Sequence, residues 1–127
     1  MNYSQIIKAM PALGEVEKLR LPYPIARDIH RILQTFAAEY QFFAQEEAKL
    51  INELGAKDEN GNPQIADGRI TFESVEAKNK YNERITELGE TDANVEIPCV
   101  TLTAAELGDE RISANTIEAL DGIINFE

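Results

Sequence analysis

Tryptophan is missing from this 127-residue chain, and histidine and cysteine occur once each, as His30 and Cys99. A lone cysteine cannot close an internal disulfide or build a thiolate metal cluster, so a reducing, cytoplasmic setting is expected. Neither a nucleophile with its base nor a metal-ligand set stands at recognisable spacing, and no glycine-rich phosphate loop occurs. No enzyme activity and no cofactor are therefore expected. Long apolar runs are lacking too. Residues 1–21 intersperse Lys8, Glu15, Glu17, Lys18 and Arg20 among short apolar groups, and no apolar stretch approaches the roughly 18 residues of a membrane span. Neither a targeting segment nor a membrane partner is expected.

Positive charge is the next scarcity, with 12 Lys and Arg against 23 Asp and Glu for a net charge of −11. Its distribution says more than its total. Residues 1–57 hold seven acids and seven bases, whereas residues 58–127 hold sixteen acids and five bases. The whole excess lies in the second half. Such a surface repels phosphate backbones, which argues against direct nucleic-acid binding, and it is suited to occupy a basic groove on another protein. The plain alternative is a solvated face that maintains solubility.

What is present in abundance is helical pattern. From Pro24 to Leu54, apolar residues recur at Ile25, Ile29, Ile32, Leu33, Phe36, Tyr40, Phe43, Leu50, Ile51 and Leu54, in steps of mostly three and four that draw one stripe. Pro22 and Pro24 block helix upstream, and Gly55 offers a left-handed residue to end it. At about 1.5 Å per residue such a rod reaches roughly 45 Å, longer than a compact domain of this size, so one end protrudes or pairs with another chain.

The rest arranges itself around that helix. Tyr3 to Leu13 reads as a short first helix with Ser4 as its cap, disturbed by Pro11; Gly14 permits a break, after which Glu15 to Leu21 either resumes the helix or runs extended into Pro22. Asn60-Gly61 predicts a type I′ hairpin, Asp67-Gly68 a second turn, and Arg69 to Phe72 a half-buried strand. Ser74 caps an amphipathic helix carrying Val75, Ala77, Tyr81, Ile85 and Leu88, closed by Gly89. Val95 to Leu102 reads as an edge strand because of Pro98. A capped turn at Thr103–Gly108, a short helix from Ser113 to Leu120 and a strand over Ile123–Phe126 follow. The expected fold is α+β in one domain, 1–127: one long central helix with two or three shorter helices on a small antiparallel sheet. Residues 1–55 form its neutral helical part and 56–127 its acidic mixed part.

Three constellations invite chemistry. Asp58, Asn60 and Asn62 match the opening of a calcium loop, but Pro63 stands where glycine belongs and Arg69 where a bidentate glutamate belongs. A plain turn is the better reading. Glu39, Glu46 and Glu53 recur every seven residues as the solvated edge of the long helix, while Glu47 interrupts its stripe and needs a partner if buried. Finally, Lys18, Arg20, Tyr23, Arg27, His30 and Arg31 surround the N-terminus of the long helix. Tyr23, Arg27, His30 and Arg31 there form a candidate anion site, unless the acidic second half docks on them.

Several segments together, Ala9-Met10-Pro11-Ala12-Leu13, Leu21-Pro22, Ala26-Arg27-Asp28-Ile29, Glu46-Glu47 with Leu50-Ile51, Asp58-Glu59-Asn60-Gly61, Glu87-Leu88 and Leu120-Asp121-Gly122-Ile123-Ile124, resemble a family of short tailed-bacteriophage proteins of Gram-positive hosts, of unknown function. The resemblance spans nearly the whole chain and carries no catalytic residue. It implies expression in the cytoplasm of an infected bacterium and action by binding a host component. Three readings follow: an acidic inhibitor of a host defence or nucleic-acid-handling protein with a basic surface; a sink for an anionic signalling nucleotide; and a tail-assembly or virion accessory protein that forms a homo-oligomer through the long helix.

Overall fold

Asn2 opens the first helix: its side chain accepts from the Gln5 N–H at 2.9 Å, and the Gln5 side chain accepts from the Asn2 N–H at 2.8 Å. This reciprocal capping box places the helix start two residues earlier than the Ser4 cap expected from sequence. In the computed structural model, which describes residues 1–127, α1 runs over Tyr3–Glu17 and passes straight through Pro11 and Gly14. Pro11 removes one hydrogen bond, and Gly14 is a poor helix former. Packing outweighs both, because Ile6, Ala9, Ala12, Leu13 and Val16 of this helix are all buried.

The long helix, α2, spans Tyr23–Leu54, with Pro22 at its cap position and Pro24 in its first turn. Gly55 does end it, but with extended backbone (φ −73°, ψ 151°) and not the left-handed conformation expected. A β-hairpin follows. Asp67 and Gly68 both have positive φ, 53° and 74°, as a type I′ turn demands, and they join β1 (Ile65–Ala66) to β2 (Arg69–Ile70) in antiparallel register. The hairpin turn is therefore Asp67-Gly68, and Asn60-Gly61 belongs to a wider loop bridged between Lys57 and Pro63. In that loop the Asp58 carboxylate accepts from the Asn60 and Asn62 N–H groups, an Asx turn.

Ser74 caps α3 (Val75–Glu90), its hydroxyl accepting from the Ala77 N–H at 3.1 Å. Gly89 does not close this helix; it lies inside the last turn, fully packed, where an added Cβ would come within 2.5 Å of the Ser4 hydroxyl. Its role is close approach between α3 and α1. The chain then continues to β3 (Val100–Leu102), α4 (Ala104–Leu107), α5 (Ala114–Ala119) and β4 (Ile124–Phe126). Thr103 with Glu106 forms a second capping box, and Ser113 caps α5. The expected strand over Val95–Leu102 is thus limited to its last three residues.

The expected single antiparallel sheet is replaced by two separate two-stranded ribbons, and β3 pairs with β4 in parallel, Val100 opposite Ile124 and Leu102 opposite Phe126. Four shorter helices accompany α2, against the two or three expected. The mixed α and β class stands. The core gathers α1, the first half of α2 (Ile29, Ile32, Phe36), the β3·β4 ribbon, Leu120 and Ile123 into one cluster. Beyond Phe36 the only buried side chain of α2 is Leu50, and the only buried residue of α3 is Gly89. The molecule therefore divides into a well-packed body and an arm, in which α3 returns along the far half of α2 and the β1·β2 hairpin forms the tip.

Candidate functional site: an acidic surface without internal partners

The basic residues at the start of α2 lie on one helical face, at spacings of four, three and one. Tyr23 is 91% exposed, and Arg27, His30 and Arg31 are exposed as well. Their local anion is Asp28, whose Oδ1 lies 3.5 Å from Arg27 Nε and 3.7 Å from Arg31 Nη1. One carboxylate thus bridges both guanidiniums. No acid of residues 58–127 forms an ion pair with Arg27, His30 or Arg31; the second half touches this basic edge through Glu110, whose carboxylate accepts from the Arg20 backbone N–H at 3.2 Å.

Fourteen of the sixteen acids of residues 58–127 are instead exposed, Glu106 and Glu110 being half-buried. Of the sixteen, only Asp92 forms an ion pair, with the Met1 amino group at 3.4 Å. The Asn94 N–H, followed by that amino group, holds the Asp92 carboxyl below its usual range. Helix α3 presents Glu76, Glu83, Glu87 and Glu90 to solvent. Where its last turns meet α2, a cleft of about 350 Å³ is lined by Glu46, Leu50, Arg84, Glu87, Leu88 and Thr91. Residues 92–127 carry eight acids and a single base, Arg111. Such a field is available to an external cation because, of these eight acids, Asp92 alone is ion-paired within the protein.

Two tyrosine–glutamate meetings line α2, the first where the body meets the arm and the second within the arm. Tyr3, 6% exposed, packs its ring against Phe42 and Phe43 at centroid distances of 5.7 and 6.2 Å, and its hydroxyl donates to Glu39 Oε2 at 2.8 Å. Burial, followed by that hydrogen bond and the Glu39 charge, pushes the phenol up to about 12. Glu39 belonged by sequence to a solvated edge; no local signal pairs it with a residue 36 positions away. Further along, Tyr81 stacks against Phe72 at 5.2 Å, and its phenol is raised by burial and then by the charge of Glu47. The Glu47 that interrupts the stripe is half-buried, and its charge is felt at the Tyr81 phenol.

The Tyr3 environment has a pH consequence. A phenol whose folded-state value exceeds the usual value near 10 keeps its proton longer when folded. Its contribution to stability is complete below about pH 10 and is lost as pH rises towards 12. Denaturant midpoints should therefore fall across that alkaline window. In Glu39→Gln the phenolate absorbance of Tyr3 should rise at lower pH than in the parent chain; an unmoved titration would show that Glu39 does not hold the proton.

Compared with known proteins, the chain matches no family model, no curated protein sequence and no solved structure.

Proposed function

We propose that this is a non-enzymatic interaction protein whose acidic second half occupies a basic surface on another protein. The observation that carries the reading is that fifteen of the sixteen acids in residues 58–127 have no ion-pair partner within the chain. Exposed acids of one sign repel each other, and a complementary surface removes that repulsion while steering association. In the setting implied by the phage resemblance, the partner is a host protein that handles nucleic acid or defends against infection, and the acidic face competes for its basic groove.

The nucleotide-sink reading has less support, because Asp28 already sits between Arg27 and Arg31 and the cluster rests on a helix N-terminus. Assembly into a phage tail through the long helix draws support only from the thinly covered arm.

A tagged chain used as bait in host lysate at low and high salt tests the proposal. The partner's affinity should fall at least about tenfold when sodium chloride rises from roughly 50 to 500 mM, because surface charges then interact within a much shorter screening length. An affinity unchanged over that range overturns it. Loss of a bound nucleotide on replacing both Arg27 and Arg31 with alanine would favour the sink.

A further inference from the structure

The chain leading into β3 carries backbone that nothing in the protein uses. From Val95 to Cys99 it runs without helix, turn or bend, and none of its N–H or C=O groups takes part in an intramolecular hydrogen bond. It is nevertheless held in place, since Val95 and Ile97 pack against the core. It continues into a ribbon of only two parallel strands, an arrangement that normally has further strands beside it.

One edge of that ribbon is open. The Leu102 carbonyl accepts from the Glu127 N–H at 3.0 Å, so the backbone groups of Leu102 point towards β4. Strand alternation turns those of Thr101 the other way, to the outer edge. Natural sheets shield such edges with charges or proline, and here the Pro98 ring and the Glu96 carboxylate stand on this stretch. Across the ribbon lies a groove of about 300 Å³, lined by Cys99, Val100 and Thr101 on one strand and by residues 121–125, beginning with Asp121, on the other. Asp121 and Glu96 are exposed and without ion partners.

We propose that Val95–Leu102 accepts an extended, lysine- or arginine-bearing segment of another protein by strand addition. Unpaired main-chain groups supply the hydrogen bonds, and Glu96 and Asp121 select basic side chains over acidic ones. The occupant is a basic segment and not a second copy of this chain, because two copies would place like charges against each other. The inference rests on the acidic-surface reading above and specifies where and how that surface grips.

The probe is a fluorescent decapeptide of alternating lysine and valine, compared with the same peptide N-methylated along one edge and with an alternating glutamate and valine peptide. The lysine peptide should bind the intact protein and slow hydrogen exchange at the Cys99 and Thr101 amides. N-methylation should weaken binding about tenfold or more, the equivalent of losing one or two net hydrogen bonds. Thr101→Pro, which deletes the outer N–H, should do the same, and Thr101→Val should bind like the parent. If Thr101→Pro does not fold, the N-methylated peptide decides alone.

Equal, salt-sensitive binding of the methylated and unmethylated lysine peptides would overturn strand addition and leave the acidic-surface reading standing. Binding of the glutamate peptide in preference to the lysine peptide would overturn both. No binding at millimolar peptide, or a parent chain already dimeric through these amides, would also overturn strand addition.

Discussion

Phe36→Ala should destabilise the whole protein by about 3–5 kcal/mol, the range for emptying a fully buried aromatic site. Phe36 has no exposed surface and belongs to the cluster formed by α1, α2 and the β3·β4 ribbon. That cluster draws on parts of the chain far apart in sequence, so local relaxation of one element does not readily restore its packing. Against a total stability of roughly 5–15 kcal/mol, that loss is a large fraction. Urea denaturation followed by circular dichroism reads it directly. A midpoint near that of the parent would mean that the body is not the stabilising unit. Tyr81→Ala in the arm is the useful contrast: Tyr81 is half-buried against Phe72, and its removal should move the global midpoint far less.

The second large effect concerns hydrogen exchange. Backbone amides in α1 and in α2 up to Phe36 should exchange only through global unfolding, whereas those in the first half of α3 and in the β1·β2 hairpin should exchange by local opening. A difference of at least about 100-fold in protection is expected, because opening free energies range from near zero at thinly packed elements to the full stability in the core. The physical basis is burial. Thirteen buried residues form the body's cluster, while α3 contains a single buried residue, Gly89, at the end that touches α1. Uniform protection along α2 and α3 would contradict this picture.

Local chemistry made much of the fold legible in the sequence. The end of α2 at Leu54, the Ser74 and Ser113 caps and the capped turn that opens at Thr103 are each decided within a few residues, and each is where the sequence places it; α2 begins one residue before the expected Pro24. Pro11 and Gly14 misdirect the reading of α1 because its helical state is decided by five buried side chains and not by propensity. The parallel pairing of β3 with β4 joins residues 24 apart in register and leaves no turn signature between them. Gly89 reads as a terminator until the Ser4 hydroxyl is found in the space its side chain would need. Of the candidate site, the charge asymmetry was legible from composition alone. That the acids would remain unpaired was not, because pairing depends on which helix ends meet in space.

Helix α2 belongs to both body and arm, and that has a mechanical consequence. At about 1.5 Å per residue its 32 residues form a bar of roughly 48 Å, clamped near one end by Ile29, Ile32 and Phe36. Beyond the Tyr3 contact, the remaining length, with α3 packed along it, acts as a lever. A tilt of a few degrees at the clamp moves the far end of the helix by about 1–2 Å, and a load on the tip returns to the fulcrum where Tyr3 grips Glu39, Phe42 and Phe43. A partner seated at the far end of the arm would thus pull on the junction that fixes the first helix.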